Sequence, residues 1–387
     1  MMKSFNLTKT PRVYFGEDSL KEAISKEISS MGNNIMIAYG GNSIKENGIF
    51  DSVKNLLLEG NKNIIEFGGI MSNPTYKKAQ EGAKLARENN VDFIFAVGGG
   101  SVIDCCKIIS AQAKSKEDIW NLEFVSKKLP TEFIPMASIV TVSGTGAEMN
   151  CGAVITNEEY KIKCGMLGAL SEFVVLNPTY TLTVPMKQVI SGAFDTLSHC
   201  METYFGSPSE ENVSDNINEA IMKNTIRNIR NVIKNPENVQ VRSELMWDSS
   251  IAEVGWLKLG KVTDFQCHQI EHQLGAYTKC NHGEGLAVIH PTVYKHIYKY
   301  DLEKFVRFSK EIWNIDDENK TDDEVALLGI EALACFIKEI GLPTTLKELN
   351  ITDIEMLKNV ADSSNISAGC CKQLTHEEIF EILKECL

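Results

Sequence analysis

"VDFIFAVGGGSVIDCCKIISAQAK", residues 91–114, decides how the rest of the chain is read. Apart from Asp92 its first seven residues are apolar, the length and composition of a strand buried on both faces. Gly98, Gly99 and Gly100 follow, and Ser101 opens a helical run at once. A strand passing straight into a helix is the repeating step of a parallel α/β sheet. Glycines at that point let backbone N–H groups approach a phosphate, and the helix N-terminus adds a favourable dipole. A tight strand-to-helix turn with no ligand would use the same residues. The string meets neither G-x-G-x-x-G, because Ile103 stands where the last glycine belongs, nor the phosphate loop G-x-x-x-x-G-K-[ST].

The same alternation continues outward. "NIMIAYGG" (34–41), "NIIEFGG" (63–69), "FIPMASIVT" (133–141) and "FVVLNP" (173–178) read as further strands. Residues 43–60 read as one helix, and "SNPTYKKAQEGAKLAREN" as another, with Asn73 as its N-cap and Pro74 at its first position. Two more loops of small residues end strands: Gly40-Gly41-Asn42-Ser43, and "TVSGTGAE" (141–148). In an open α/β sheet, ligands bind beyond the carboxyl ends of the strands. Three such loops on one edge suit a long phosphorylated ligand such as a dinucleotide. Lys161 could add a positive charge, although a lone lysine is usually a solvated surface residue.

From about residue 181 the strand signals stop. Segments 186–205, 211–234, 239–260, 264–279, 283–299 and 324–340 carry apolar residues at helical spacing. The expectation is an α/β domain over 1–180 and an all-helical domain over 181–387, facing each other across a cleft. All seven histidines lie at or beyond His199, in the helical half. In "AFDTLSHC" (193–200), Asp195 and His199 share one helix face by their i,i+4 spacing. His268 and His272 repeat that spacing in "CHQIEHQLGAYTKCNHGEG" (267–285), and His282 follows in a glycine-containing break. One aspartate and several imidazoles from two helices and a loop suit a divalent metal of the zinc, iron and nickel group. His268-Gln269-Ile270-Glu271-His272 also spells H-x-x-E-H, the string of one zinc peptidase class with Glu271 as base. That reading lacks a third ligand and leaves the glycine loops and Asp195/His199 without a role. His290, His296 and His376 are read as ordinary hydrogen-bonded histidines.

Bulk properties narrow the field. The net charge of −13 excludes nucleic acid and anionic membrane as main partners. Eleven cysteines without a C-x-x-C, including the adjacent pairs Cys105-Cys106 and Cys370-Cys371, fit reduced thiols and a cytoplasmic location. The stretch "MMKSFNLTKTPRVYFG" has no apolar core of signal-peptide length.

Taken together, "YGGNSIKENG", "FGGIMSNP", "VGGGSVIDCCK", "TVSGTGAEMN", "DTLSHCMETY" and "HQIEHQLGAYTKCNHGEGLAVIHP" resemble the iron-containing (group III) alcohol dehydrogenases. The resemblance is strongest to the branch of butanol dehydrogenases and NADPH-dependent aldehyde reductases, and it covers nearly the whole chain. It implies a Rossmann-like dinucleotide-binding α/β domain followed by an all-α metal-binding domain, the dehydroquinate synthase-like architecture. It implies hydride exchange between NAD(P)H and short- or medium-chain aldehydes and alcohols, a homodimer, and Fe2+ or Zn2+. Metal ligands then fall on Asp195, His199, His268 and His282, with His272 close by as a proton-relay residue. Cofactor contacts fall on Gly98, Gly99, Gly100, Ser101, Asp104, Thr141, Thr145, Asn73 and Lys161. Relatives that prefer NAD carry an acid where this chain has Gly40. Gly40-Gly41-Asn42-Ser43 offers donors instead, which implies NADPH over NADH; Asn42 stands where this branch commonly has glycine. Kin with the same plan include glycerol dehydrogenase, a polyol oxidoreductase, and dehydroquinate synthase, a lyase. A structural metal without catalysis is the remaining alternative.

Overall fold

The computed structural model describes residues 5, 9–367 and 371–387, so most of the N-terminal stretch quoted above, and Cys370, lie outside the described residues. The chain forms two compact units. One comprises Thr8–Pro185 with Glu237–Val254, the other Met186–Pro236 and Gly255–Leu387. Among the described residues no helix is long and apolar enough to cross a membrane.

The first unit is built on strands β1 (Arg12–Phe15), β2 (Asn34–Tyr39), β3 (Asn63–Phe67), β4 (Phe93–Gly98), β5 (Met136–Val140) and β8 (Phe173–Leu176). They pair in parallel in the order β1-β8-β5-β4-β2-β3. Side chains alternate across a strand, and here both sets are buried. Phe93, Phe95 and Val97 of β4 enter one apolar core, Ile94 and Ala96 the other. The period of two is invisible in the sequence because both faces are covered, which is why the strand reads as one continuous apolar run. Helices α1 (Ser19–Glu27), α2 (Ser43–Glu46), α3 (Ile49–Glu59), α4 (Tyr76–Glu88) and α5 (Gly100–Lys114) belong to this unit.

Local chemistry corrects several boundaries. The single helix expected over 43–60 is two, because Gly48 takes a left-handed φ of +78° between α2 and α3. Helix α4 begins at Tyr76, not Pro74. Thr75 is its cap and accepts from the Lys78 N–H at 3.2 Å, while Asn73 is itself left-handed at φ +52°. A hairpin of β6 (Gly152–Asn157) and β7 (Ile162–Leu167), and the edge strand β1, carried no signal in the reading above. Helix α8 (Val239–Glu253), expected in the helical half, clusters with the α/β unit. The Ser249 hydroxyl on it accepts from the N–H groups of Gly144 and Gly146 at 2.9 and 3.1 Å, bracing the 141–148 loop.

The edge strand is tied down by charge. Arg12 donates to both carboxylate oxygens of Glu27 at 2.7 and 2.9 Å, and the Tyr14 hydroxyl donates to Oε1 at 2.7 Å. Burial pushes the Glu27 carboxyl up, but the bonds from Tyr14 and Arg12 outweigh it and hold it below its ordinary value of 4.5. A lowered carboxylate contributes stability that is present above the unfolded pKa and lost as pH falls through the folded one. Urea unfolding of wild type and Glu27→Gln should therefore differ at neutral pH and converge below about pH 4.

The second unit consists of α6 (Met186–Tyr204), α7 (Val213–Lys234), α9 (Gln266–Thr278), α10 (His282–Ile297), α11 (Leu302–Trp313), α12 (Asp322–Glu339), α13 (Ile354–Ser363) and α14 (His376–Glu385), with short 3-10 turns between them. From Val189 to Tyr204, only Gly192 of α6 is not fully buried. It is therefore the central helix of this unit rather than an amphipathic surface one.

Candidate metal centre and cofactor loops

Asp195, His199 and Glu202 stand at i, i+4 and i+7 on α6, one face of the helix. Helix α9 contributes His268, Glu271 and His272, and His282 is the first residue of α10. The start of α10 is held against α6. Its cap Asn281 accepts from the Glu284 N–H at 3.2 Å and from the Ser191 hydroxyl. A side chain at Gly283 would meet the Ser191 carbonyl oxygen at 2.2 Å, so the "HGEG" glycine is there to permit this approach.

The result is convergence on one atom. The Nε2 atoms of His268, His282 and His199 lie 3.4, 3.5 and 3.9 Å from Asp195 Oδ1. A four-coordinate ion with bonds of about 2.1 Å holds its ligand atoms about 3.4 Å apart, so these spacings match a cation's coordination shell. Asp195 Oδ1 and His268 Nε2 are buried and make no hydrogen bond. Such orphaned groups are costly unless an ion satisfies them.

The electrostatics point the same way. His268 Nδ1 shares a hydrogen with Glu202, whose other oxygen accepts from the Cys267 N–H at 2.6 Å. His282 Nδ1 does the same with Glu271. A carboxylate on Nδ1 fixes the tautomer and turns the Nε2 lone pair toward the centre. Burial raises the Asp195 carboxyl, yet the fields of His199, His282 and His268 outweigh it and hold it below the usual carboxylate range. Burial lowers His268, but Glu202 and Asp195 push it up to about 10. Three buried carboxylates around the imidazoles call for positive charge, which a divalent cation would supply.

His272 is buried with its ring stacked on His282 at 5.6 Å, but it is not among the groups converging on Asp195 Oδ1. His290, buried, bonds to the Ser198 hydroxyl at 2.6 Å; His296 pairs with Glu385 at 3.1 Å; His376 bonds to the Ser364 carbonyl at 3.1 Å. Of the two acids on these imidazoles, Glu202 carries no signal in the reading above and Glu271 figures there only as a peptidase base. The first could have been found from its i+7 place after Asp195.

In the α/β unit the loops after β2, β4 and β5 leave three adjacent strands on the same sheet edge. Gly98 ends β4, Gly99 caps α5, and Gly100 and Ser101 form its first turn. A Cβ on Gly100 would meet Thr145 Oγ1 at 2.3 Å, so the 98–101 and 141–146 loops pack directly together. The Thr141 N–H bonds to the Gly98 carbonyl at 3.0 Å. Asp104 accepts from the Val154 N–H at 2.9 Å and faces the fully buried Lys107 at 3.4 Å, joining α5 to β6. Burial raises its carboxyl despite the opposing charges of Lys107 and Lys163. Gly41, Asn42 and Ser43 are exposed beyond β2, and Asn73 is half-buried. Lys161 is exposed at the turn between β6 and β7, whereas Lys163 is buried and acts on Asp104.

Comparison with known proteins places this arrangement. Residues 10–178 match the family described as iron-containing alcohol dehydrogenase, and residues 189–387 match the C-terminal region of that family. The chain belongs to the iron-containing alcohol dehydrogenases. It is 37% identical to NADH-dependent butanol dehydrogenase A of Clostridium acetobutylicum, across 99% of this chain and all of that one. It is 33% identical to the NADPH-dependent aldehyde reductase YqhD of Escherichia coli, across 90% of each chain. Among solved structures, NADH-dependent butanol dehydrogenase A of Thermotoga maritima superposes with a TM-score of 0.92 at 31% identity, covering 100% of this chain and 99% of that one. Escherichia coli YqhD gives 0.93 at 30%, with the same coverage. As a member of this family the protein is an oxidoreductase that works with a metal and a nicotinamide cofactor, and the α/β plus helical plan expected from the sequence is the family's fold. The peptidase and lyase readings fall away with that membership.

Proposed function

We propose that this alcohol dehydrogenase interconverts short- or medium-chain linear aldehydes and their alcohols with NADPH, at a divalent metal held by Asp195, His199, His268 and His282. The observation that carries the reading is the convergence of three Nε2 atoms on one oxygen of Asp195. A divalent ion there supplies Lewis acidity toward a carbonyl or alkoxide oxygen, and the nicotinamide supplies the hydride. Fe2+ is favoured by the family, and the donor set suits Zn2+ as well.

The chain's own residues do the rest. Glu202 and Glu271 keep the His268 and His282 lone pairs turned inward through every turnover. The N-terminal turn of α5 offers N–H groups to a pyrophosphate, with Thr141 and Thr145 beside it. Lys163, rather than Lys161, supplies the positive charge near Asp104. His272, next to His282, holds or passes the alcohol proton. At the end of β2, a Cβ on Gly40 would sit 3.1 Å from the Ile70 carbonyl oxygen, closer than ordinary van der Waals contact. The exposed Asn42 and Ser43 remain free to meet a ribose 2′-phosphate, which supports NADPH.

The relatives' names divide between NADH and NADPH, so cofactor choice is measured directly. Metal-loaded protein with butyraldehyde should consume NADPH with kcat/KM about tenfold above that for NADH, the scale of one charge-assisted contact. Lys163→Met should weaken NADPH use far more than Lys161→Met. Faster oxidation of glycerol than reduction of butyraldehyde would instead favour a polyol dehydrogenase. Absence of any nicotinamide turnover would leave only a structural metal.

A further inference from the structure

The H-x-x-E-H string holds a second set of donors outside the Asp195 centre. One donor atom each of Glu271, His272 and His282 lie within 4.8 Å of one another, as do those of Asp195, His268 and His282. The two sets share His282. Its Nε2 faces Asp195 and its Nδ1 faces Glu271, so the ring lies between them. His282 is also the most open of the ligands, with 24% of its side chain exposed against 4% for His268 and 9% for His199. The Glu271 carboxylate is fully buried, and His272 stacks on His282 with their planes 28° apart.

The geometry points to an outer cation site formed by Glu271, His272 and His282, which takes a second divalent ion when the inner site is filled. Two imidazoles and one carboxylate are an ordinary borderline-soft donor set. Binding there replaces the hydrogen shared between His282 Nδ1 and Glu271, and that proton leaves to solvent. His282 would then serve as an imidazolate, one nitrogen toward each ion. Displacing that proton and setting two dications on either side of one ring makes the outer ion the weaker-bound, and by engaging His272 it lowers turnover as it binds. This inference rests on the assignment of the Asp195 set as the primary centre.

The test uses Co2+ and the full-length protein already holding one chelator-resistant equivalent. Wild type should take up a second, weaker equivalent, with a change in the visible Co2+ bands and a fall in butyraldehyde turnover. Glu271→Gln keeps an acceptor for Nδ1–H but no anionic donor. His272→Asn removes a donor without touching that contact. Both variants should weaken the second equivalent by about tenfold or more and retain the first, on the scale of lost metal-site partners. Asp195→Ala should lose the chelator-resistant first equivalent. Wild type stopping at one equivalent, or both variants binding the second as wild type does, would overturn the outer site. So would loss of the first ion in Glu271→Gln while His272→Asn keeps both, since Glu271 would then only orient His282. Retention of the chelator-resistant ion by Asp195→Ala would instead sink the primary assignment.

Discussion

Asp195→Ala protein is expected to purify folded but without tightly bound divalent metal, and its aldehyde reduction should fall by at least about a thousandfold. Among the described residues the Asp195 carboxylate is the one in reach of all three Nε2 atoms, at 3.4 to 3.9 Å. Removing it leaves three imidazoles to hold a dication in a buried site, with one fewer ligand and less charge compensation. A thousandfold corresponds to about 4 kcal/mol, within the several kcal/mol a Lewis acid contributes to such a step. His268→Ala should behave alike, because it deletes a ligand and strands the buried Glu202 carboxylate that now faces it. His272→Ala marks the other side of the line. It should keep its metal by elemental analysis while turnover drops by about a hundredfold, the lower range for loss of a general acid or base. A metal-free His272 variant beside a metal-replete Asp195 variant would reverse the roles given to these residues.

How much of this could be read beforehand depends on the range of each signal. The buried strand Phe93–Gly98 and the helix behind it were legible because their cause is local: an apolar run, glycines, then helical spacing. Asp195 and His199 were legible for the same reason, as one turn of one helix. Glu271 was legible as a residue but not as a partner, since its contact with His282 crosses a loop and depends on Gly283 letting α10 approach α6. Lys161 and Lys163 stand two residues apart and look alike in composition; only the hairpin shows that the first is exposed and the second buried. Helix α8 has ordinary helical spacing, and nothing in it announces that Ser249 would brace the loop after β5. Long-range register, rather than residue type, is what the single sequence lacks.

Register of that kind also produces the largest expected stability effect away from the metal. Asp215, near the start of α7, is fully buried, and both its oxygens are taken by ammonium groups: Lys261 on one, Lys304 of α11 on the other. The lysine side chains are 3% and 2% exposed. Lys304 further sits 4.3 Å over the Tyr204 ring, and Lys261 reaches the Tyr204 carbonyl at 3.4 Å, so three segments of the helical unit meet at one aspartate. Burial pushes the Lys261 ammonium down, and Asp215 is the main opposing influence. Asp215→Asn preserves shape while leaving two buried cations without their anion, which should cost the helical unit about 3–5 kcal/mol. The loss should appear as a lower urea midpoint at fixed metal loading. Adding Lys304→Met should recover part of it, because removing one stranded ammonium also removes its desolvation penalty while the apolar stem still packs. If Asp215→Asn alone unfolds within about 1 kcal/mol of wild type, the scale of a single neutral hydrogen bond, this ion cluster does not hold the three segments together.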